Sequence, residues 1–148
     1  HVGNVTIPDP ALRARFAAVM GAMGISPNSF GMAMARAAYS PEGAAWVDAL
    51  VAYLDANRRA FDAGVNAIPG VRSMPLEATY LAWVDFRGLG MAQAEIERRF
   101  RDTARIAANS GPSFGLGGEG WMRVNLGAPR AQVEDAVARL RAAFGDVQ

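Results

Sequence analysis

The sequence predicts an α/β fold of the α+β kind: a small antiparallel or mixed sheet covered by helices, with a helical segment ahead of it. Three observations carry this expectation. Residues 121–126, "WMRVNL", alternate in polarity with a period of two. Residues 79–86, "TYLAWVDF", are rich in aromatic and β-branched side chains. Elsewhere apolar residues recur at helical spacing, most clearly over 41–68 and 130–144.

Taken in order, Asp9-Pro10 is a helix start, with Asp as N-cap and Pro in the first turn. Leu12, Phe16, Val19 and Met20 follow at helical spacing, and Gly21 to Gly24 weaken the end. Ser26, Pro27 and Asn28 open a second helix, Ala- and Met-rich, to about Tyr39. Ser40-Pro41 opens a long third helix with Trp46, Leu50, Leu54, Phe61 and Val65 on one face, stopped at Pro69-Gly70. Asp48, Asp55, Asp62 and Glu42, together with Arg58 and Arg59, form its solvated face. After the strand at 79–86, in which Asp85 is expected to pair with an arginine, Met91 to about Thr103 reads as helix with Ile96 and Phe100 inward. Arg105–Ala108 reads as a short strand. Trp121–Leu126 is the clearest strand, with Met122, Val124 and Leu126 on one face and Trp121, Arg123 and Asn125 on the other. A closing helix over 130–144 buries Val133, Val137, Leu140 and Phe144.

Composition bounds the function. The 148 residues suffice for one domain, which at this size buries roughly two-thirds of its unfolded surface. Half of them are apolar and the net charge is +1, so nothing draws the chain to nucleic acid or to an anionic membrane. The arginine-rich run Glu97–Arg105 interleaves acids and lacks any accompanying nucleic-acid motif. No apolar run approaches the roughly 20 residues a membrane span needs. Cysteine is absent, which excludes disulfides and is compatible with a cytoplasmic protein. The one histidine, His1, lies at a chain end, so no metal site is expected. All fifteen basic side chains are arginine; without lysine, the chain cannot form a lysine Schiff base.

Gly115, Gly117 and Gly120 spell G-x-G-x-x-G, the spacing of a dinucleotide-binding turn. That turn works when the glycines follow a strand and open a helix, whose amides then hold the pyrophosphate. Here they precede a strand, so the nucleotide reading fails on context. The glycines read instead as a tight turn, or as a loop that brings backbone close to a ligand. Arg123, in the middle of the strand they feed, is the candidate ligand-binding residue: its planar fork matches a carboxylate. The plainer alternative is a sheet-face arginine paired with Asp or Glu.

Taken together, "IPDPALRARF", "SPNSFGMAMARAAY", "EATYLAWVDFRGLG" and "SFGLGGEGWMRVNLGAPR" resemble the C-terminal portion of pyridoxal-phosphate enzymes of the class I/II aminotransferase family. Within it they are most similar to the MalY/PatB-like cystathionine β-lyase branch. The resemblance covers essentially the whole chain, and its most specific part is F-G-x-x-G-x-G-x-x-R-x-N. It implies the fold type I architecture. Residues 1–40 would be the end of the large cofactor-binding domain, and 41–148 the small C-terminal domain with its long interdomain helix.

The resemblance further implies pyridoxal phosphate as cofactor, an amino acid as substrate and a homodimer as the intact parent. The reaction would be transamination or C–S lysis. Arg123 would bind the substrate α-carboxylate, with Gly115 and Asn125 on the substrate side of the loop. For Tyr80 and Trp83 it implies position only. The lysine that holds the cofactor would lie upstream of the chain, whose own residues would then be inactive alone and bind cofactor poorly. Ser110-Gly111-Pro112 departs from the Pro-Gly that often precedes "SFG" in the family. The competing expectation is a free-standing α/β binding or regulatory module without catalysis.

Overall fold

The computed structural model describes residues 2–146; His1 lies outside the described residues. The chain divides into two compact units, His1–Ala49 and Leu50–Gln148. The first contains α1 (Pro10–Ala22) and α2 (Ser29–Ala38), and the boundary falls inside α3 (Pro41–Val65). The predicted Asp9 cap forms, and Asn28, in the segment expected to open the second helix, caps α2. The Asp9 carboxylate accepts from Leu12 N at 2.6 Å, and the Asn28 side chain accepts from Gly31 N at 2.6 Å. The periodic residues of α1 are not a core stripe, however: Leu12, Phe16 and Val19 are all exposed, as are Phe30, Met34, Tyr39 and Trp46 further along this unit.

The second unit holds the rest of α3 and a four-stranded sheet made of β1 (Arg72–Ser73), β2 (Leu81–Asp85), β3 (Asn109–Ser110) and β4 (Trp121–Asn125). It also holds the short α4 (Gln93–Arg98) and the closing α5 (Arg130–Phe144). The strand order is β1-β2-β4-β3 and every pairing is antiparallel. One sheet face, Ala82, Val84, Met122 and Val124, joins a single buried cluster with Phe61 and Val65 of α3, Ile96 of α4, and Val133, Leu140 and Phe144 of α5. Phe86, Phe100 and Phe144 meet at its centre, with ring centroids 4.8–5.6 Å apart. Such tilted and edge-on aromatic contacts add to the area they bury.

Three departures from the sequence reading have local causes. The strand expected at 105–108 lies at Asn109–Ser110. α4 runs into a π-helical turn at Arg99–Thr103, Ile106 N bonds to Phe100 O at 2.9 Å, and Arg105 takes a left-handed φ of 53°, so the chain there is still leaving the helix. The strand expected from Thr79 starts at Leu81, because Thr79 adopts φ 67°. The edge strand β1 is two residues long, too short for a period to register. The charged face of α3 is solvated only in part: Glu42, Asp48 and Arg59 are exposed, whereas Asp55, Arg58 and Asp62 are half-buried in a cluster where Arg58 bridges both acids and Arg59 pairs with Asp55.

Candidate functional site

The sheet face turned away from the core carries the side chains of interest. Antiparallel register places Trp83 opposite Arg123, Leu81 opposite Asn125 and Asp85 opposite Trp121, while Asn109 of β3 flanks Arg123 from the other side. Directly opposite side chains lie close enough to touch, and they do. Trp83 stacks on Trp121 at 5.7 Å and meets the ring of Phe114 edge-on at 5.5 Å. At one end of this row the Arg123 guanidinium lies over the Phe114 ring, 4.5 Å from its centroid. At the opposite end the Arg87 guanidinium sits 4.9 Å over Trp121.

The two arginines differ in one respect. Arg87 is held by Asp85 through a bidentate pair of 2.9 and 2.8 Å, which keeps the Asp85 carboxyl below its ordinary range. Asp85 thus has the arginine partner expected of it. Arg123 has no acid within ion-pair distance among the described residues. Its Nη2 donates to Asn109 Oδ1 at 3.1 Å, and its buried Nε has no partner. The sheet-face ion pair that would explain the residue structurally is therefore not formed. Buried, unpaired hydrogen-bonding groups of this kind are uncommon in folded proteins.

Phe114 reaches Arg123 because the glycine-rich segment is folded against itself. Gly111–Phe114 form one 3-10 turn, ended by Gly115 at φ 114°, ψ −164°, a region open essentially to glycine. Across the loop, a Cβ on Gly111 would lie 2.1 Å from Gly118 O, so the two ends press backbone on backbone. Phe114 is half exposed and Leu116, at the tip, wholly so.

The predicted site residues do not all converge. Gly115 directly follows Phe114 and so lies at the Arg123 end. Asn125 shares the face with Arg123, but its Oδ1 accepts from Gly127 N at 2.8 Å, capping the turn after β4. With Tyr53, Leu54, Tyr80 and Pro129 it lines a separate cleft of about 500 Å³. Tyr80 lies just before β2, at that cleft, whereas Trp83 faces Arg123.

Asn109, Phe114 and Gln93 also stand at or beside this site, and no individual role for them is evident from the sequence alone. Phe114 stands inside the motif, beside its first glycine, and that is the signal that points to it. Asn109 is visible only once the β3 register is known. Among the described residues, no group of three or more His, Asp or Glu could hold a metal ion. Among the same residues, no helix is long and apolar enough to cross a membrane.

No family model matches the chain. It is 35% identical over 142 residues to the cystathionine β-lyase PatB of Bacillus subtilis, covering 95% of this chain and 36% of PatB. To the MalY protein of Escherichia coli it is 33% identical over 128 residues, covering 86% of this chain and 33% of MalY. The solved structure of cystalysin from Treponema denticola, which contains a pyridoxal 5'-phosphate cofactor, superposes with a TM-score of 0.83 at 30% identity. That match covers 96% of this chain and 36% of cystalysin. The chain thus spans about a third of the length of the relatives it matches. Sequence, sheet topology and superposition agree: the chain belongs to the fold type I pyridoxal-phosphate-dependent family, whose members include cystathionine β-lyases and aminotransferases, and corresponds to the C-terminal part of such a protein.

Proposed function

We propose that this chain is the substrate-carboxylate-binding part of a pyridoxal-phosphate enzyme that acts on amino acids as a C–S lyase or an aminotransferase. The observation that supports it is Arg123, a guanidinium held on a sheet by Asn109 and Phe114 with no acid within ion-pair distance among the described residues. An α-carboxylate supplies the missing charge and two acceptor oxygens. With Asn109 on Nη2 and the Phe114 ring over one face, the guanidinium is held before the substrate arrives, so little ordering remains for the binding step. The apolar side chains left open on the first unit are covered, in this reading, within the complete homodimeric enzyme.

The chain has no lysine, so covalent attachment of the cofactor falls to other residues of the complete enzyme. Pyridoxal phosphate, when bound, supplies the electron sink for a carbanion at the substrate Cα. Arg123 anchors the substrate so that this carbon stays in place.

The test is Arg123→Lys in the full-length holoenzyme. It keeps the charge and loses the fork, a charge-assisted interaction of about 1.5–3 kcal/mol. KM for the amino acid is expected to rise roughly 10- to 150-fold, with cofactor absorbance and cofactor affinity unchanged. Unaltered KM and turnover would refute the assignment.

A further inference from the structure

On the core-facing side of the sheet, across from Arg123, α4 presents the half-buried Gln93 and Glu97, one helical turn apart and on the same helix face. The Gln93 amide is hydrogen-bonded through both its oxygen and its nitrogen. Its Oε1 accepts from Gly120 N at 2.8 Å, and its Nε2 donates to Ser110 Oγ at 3.0 Å and to Glu97 Oε1 at 3.1 Å. Ser110 Oγ in turn donates to the same Glu97 oxygen at 2.5 Å. These bonds from Ser110 and Gln93 hold the Glu97 carboxyl below its usual range, so it is ionised near neutral pH. The knot joins three places in the chain: α4, the end of β3, and the residue just before β4.

Its place in the ladder gives the knot its consequence. β3 is only two residues long and pairs with β4 solely through Asn109↔Arg123 and Ser110↔Met122. Two pairs specify register weakly, and a slip of one residue would carry Asn109 to the opposite face. Asn109 is the side chain that holds Arg123 Nη2. Ser110 is its neighbour in the chain, and Gly120 stands three residues before Arg123. By tying Ser110 and Gly120 to one amide, Gln93 fixes both strands beside the guanidinium from the core-facing side of the sheet.

We infer that Gln93, with Glu97 and Ser110 as its partners, is a positioning residue for Arg123, setting the register that keeps the guanidinium aligned for an α-carboxylate. This rests on the carboxylate-binding role of Arg123 and extends it to residues that touch neither substrate nor cofactor.

The experiment compares Gln93→Met, Gln93→Glu, the swap Gln93→Glu/Glu97→Gln, and Arg123→Lys, all in the full-length holoenzyme. Gln93→Met keeps length and loses every hydrogen bond. Misplacing the fork is expected to raise KM for the amino acid roughly 5- to 20-fold with kcat within about threefold. Binding of the corresponding amine, which lacks the carboxylate, should not change. Gln93→Glu sets two carboxylates together and should raise KM at least as much. The swap restores one amide and one carboxylate, and should recover most of the loss. Hydrogen exchange in residues 118–123 should quicken in Gln93→Met and recover in the swap. A Gln93→Met enzyme with a lower melting temperature but unchanged KM would leave Gln93 a structural residue and overturn the inference. So would an equal loss for substrate and amine. If Arg123→Lys raises KM while Gln93→Met does not, the positioning role alone falls. If Arg123→Lys leaves KM unchanged, the carboxylate reading falls and takes this inference with it.

Discussion

Asn57 is buried in an otherwise apolar core, and all three of its side-chain bonds serve the chain that follows β4. Its Nδ2 donates to Leu126 O at 3.0 Å and Ala128 O at 2.8 Å, and its Oδ1 accepts from Arg130 Nε at 2.7 Å. Arg130 N also donates to Tyr53 Oη at 2.6 Å, so α3 grips both sides of the turn that leads into α5. Asn57→Leu preserves the volume but leaves two carbonyls and a guanidinium without partners. Each unsatisfied buried group costs about 1–3 kcal/mol, less whatever water or relaxation returns. The expected loss is about 2–4 kcal/mol in urea denaturation, and a loss below about 1 kcal/mol would mean the turn holds without this residue. The sequence carried a sign of it. Asn57 stands three residues after Leu54 and four before Phe61, on the apolar stripe of the helix, where a polar side chain requires internal partners. The position of Arg123 was legible for the converse reason, a charged residue in mid-strand on the face opposite the core.

Elements with a sustained period were legible, and short ones were not. α5 spans the predicted 130–144, and β4 shows the predicted alternation, because each gives the hydrophobic pattern several repeats to register. β1 and β3 are two-residue polar strands that exist through their partners, so no local signal marks them. The glycine loop shows a G-x-G-x-x-G spacing in the sequence, yet its closest backbone contact falls on two glycines outside that pattern. Gly111 and Gly118 meet so closely that a Cβ on Gly111 would lie 2.1 Å from Gly118 O and 2.7 Å from Trp121 O. Backbone cannot step aside as a side chain can. Gly111→Ala should therefore push the loop ends apart and lower stability by about 1–3 kcal/mol, the usual cost of overpacking. Arg123 should lose part of its contact with Phe114 as well. Denaturant midpoints check the first expectation and substrate KM the second; a variant matching wild type in both would show that the loop relaxes freely.

Across the whole molecule, positive charge is carried by arginine and much of it is committed to nearby acids, which fixes how stability responds to acid. Glu95 binds Arg98 at 2.8 Å and Arg99 at 3.0 Å, and these two guanidinium groups take its carboxyl from 4.5 down to about 2. Arg99 continues to Ala143 O at 2.6 Å and to Asp146, so the same cluster fastens the π-helical turn to the end of α5. Asp85, beside Arg87, and Glu97, within the Gln93 knot, are lowered as well. A carboxylate whose pKa is lower folded than unfolded binds fewer protons in the folded state, so its contribution is complete above the unfolded pKa. The contribution is lost as pH falls through the folded value. For Glu95 the window runs from about 4.5 to about 2. The urea midpoint should hold steady from neutral pH to about 5 and then decline. Glu95→Gln should begin lower and decline less steeply, the two proteins converging near pH 2. The separation will be modest and will shrink in high salt, because the pair is partly open to solvent. Parallel curves across that window would show that the cluster at the end of α5 contributes nothing to acid sensitivity, leaving the buried aromatic core to hold the helix in place.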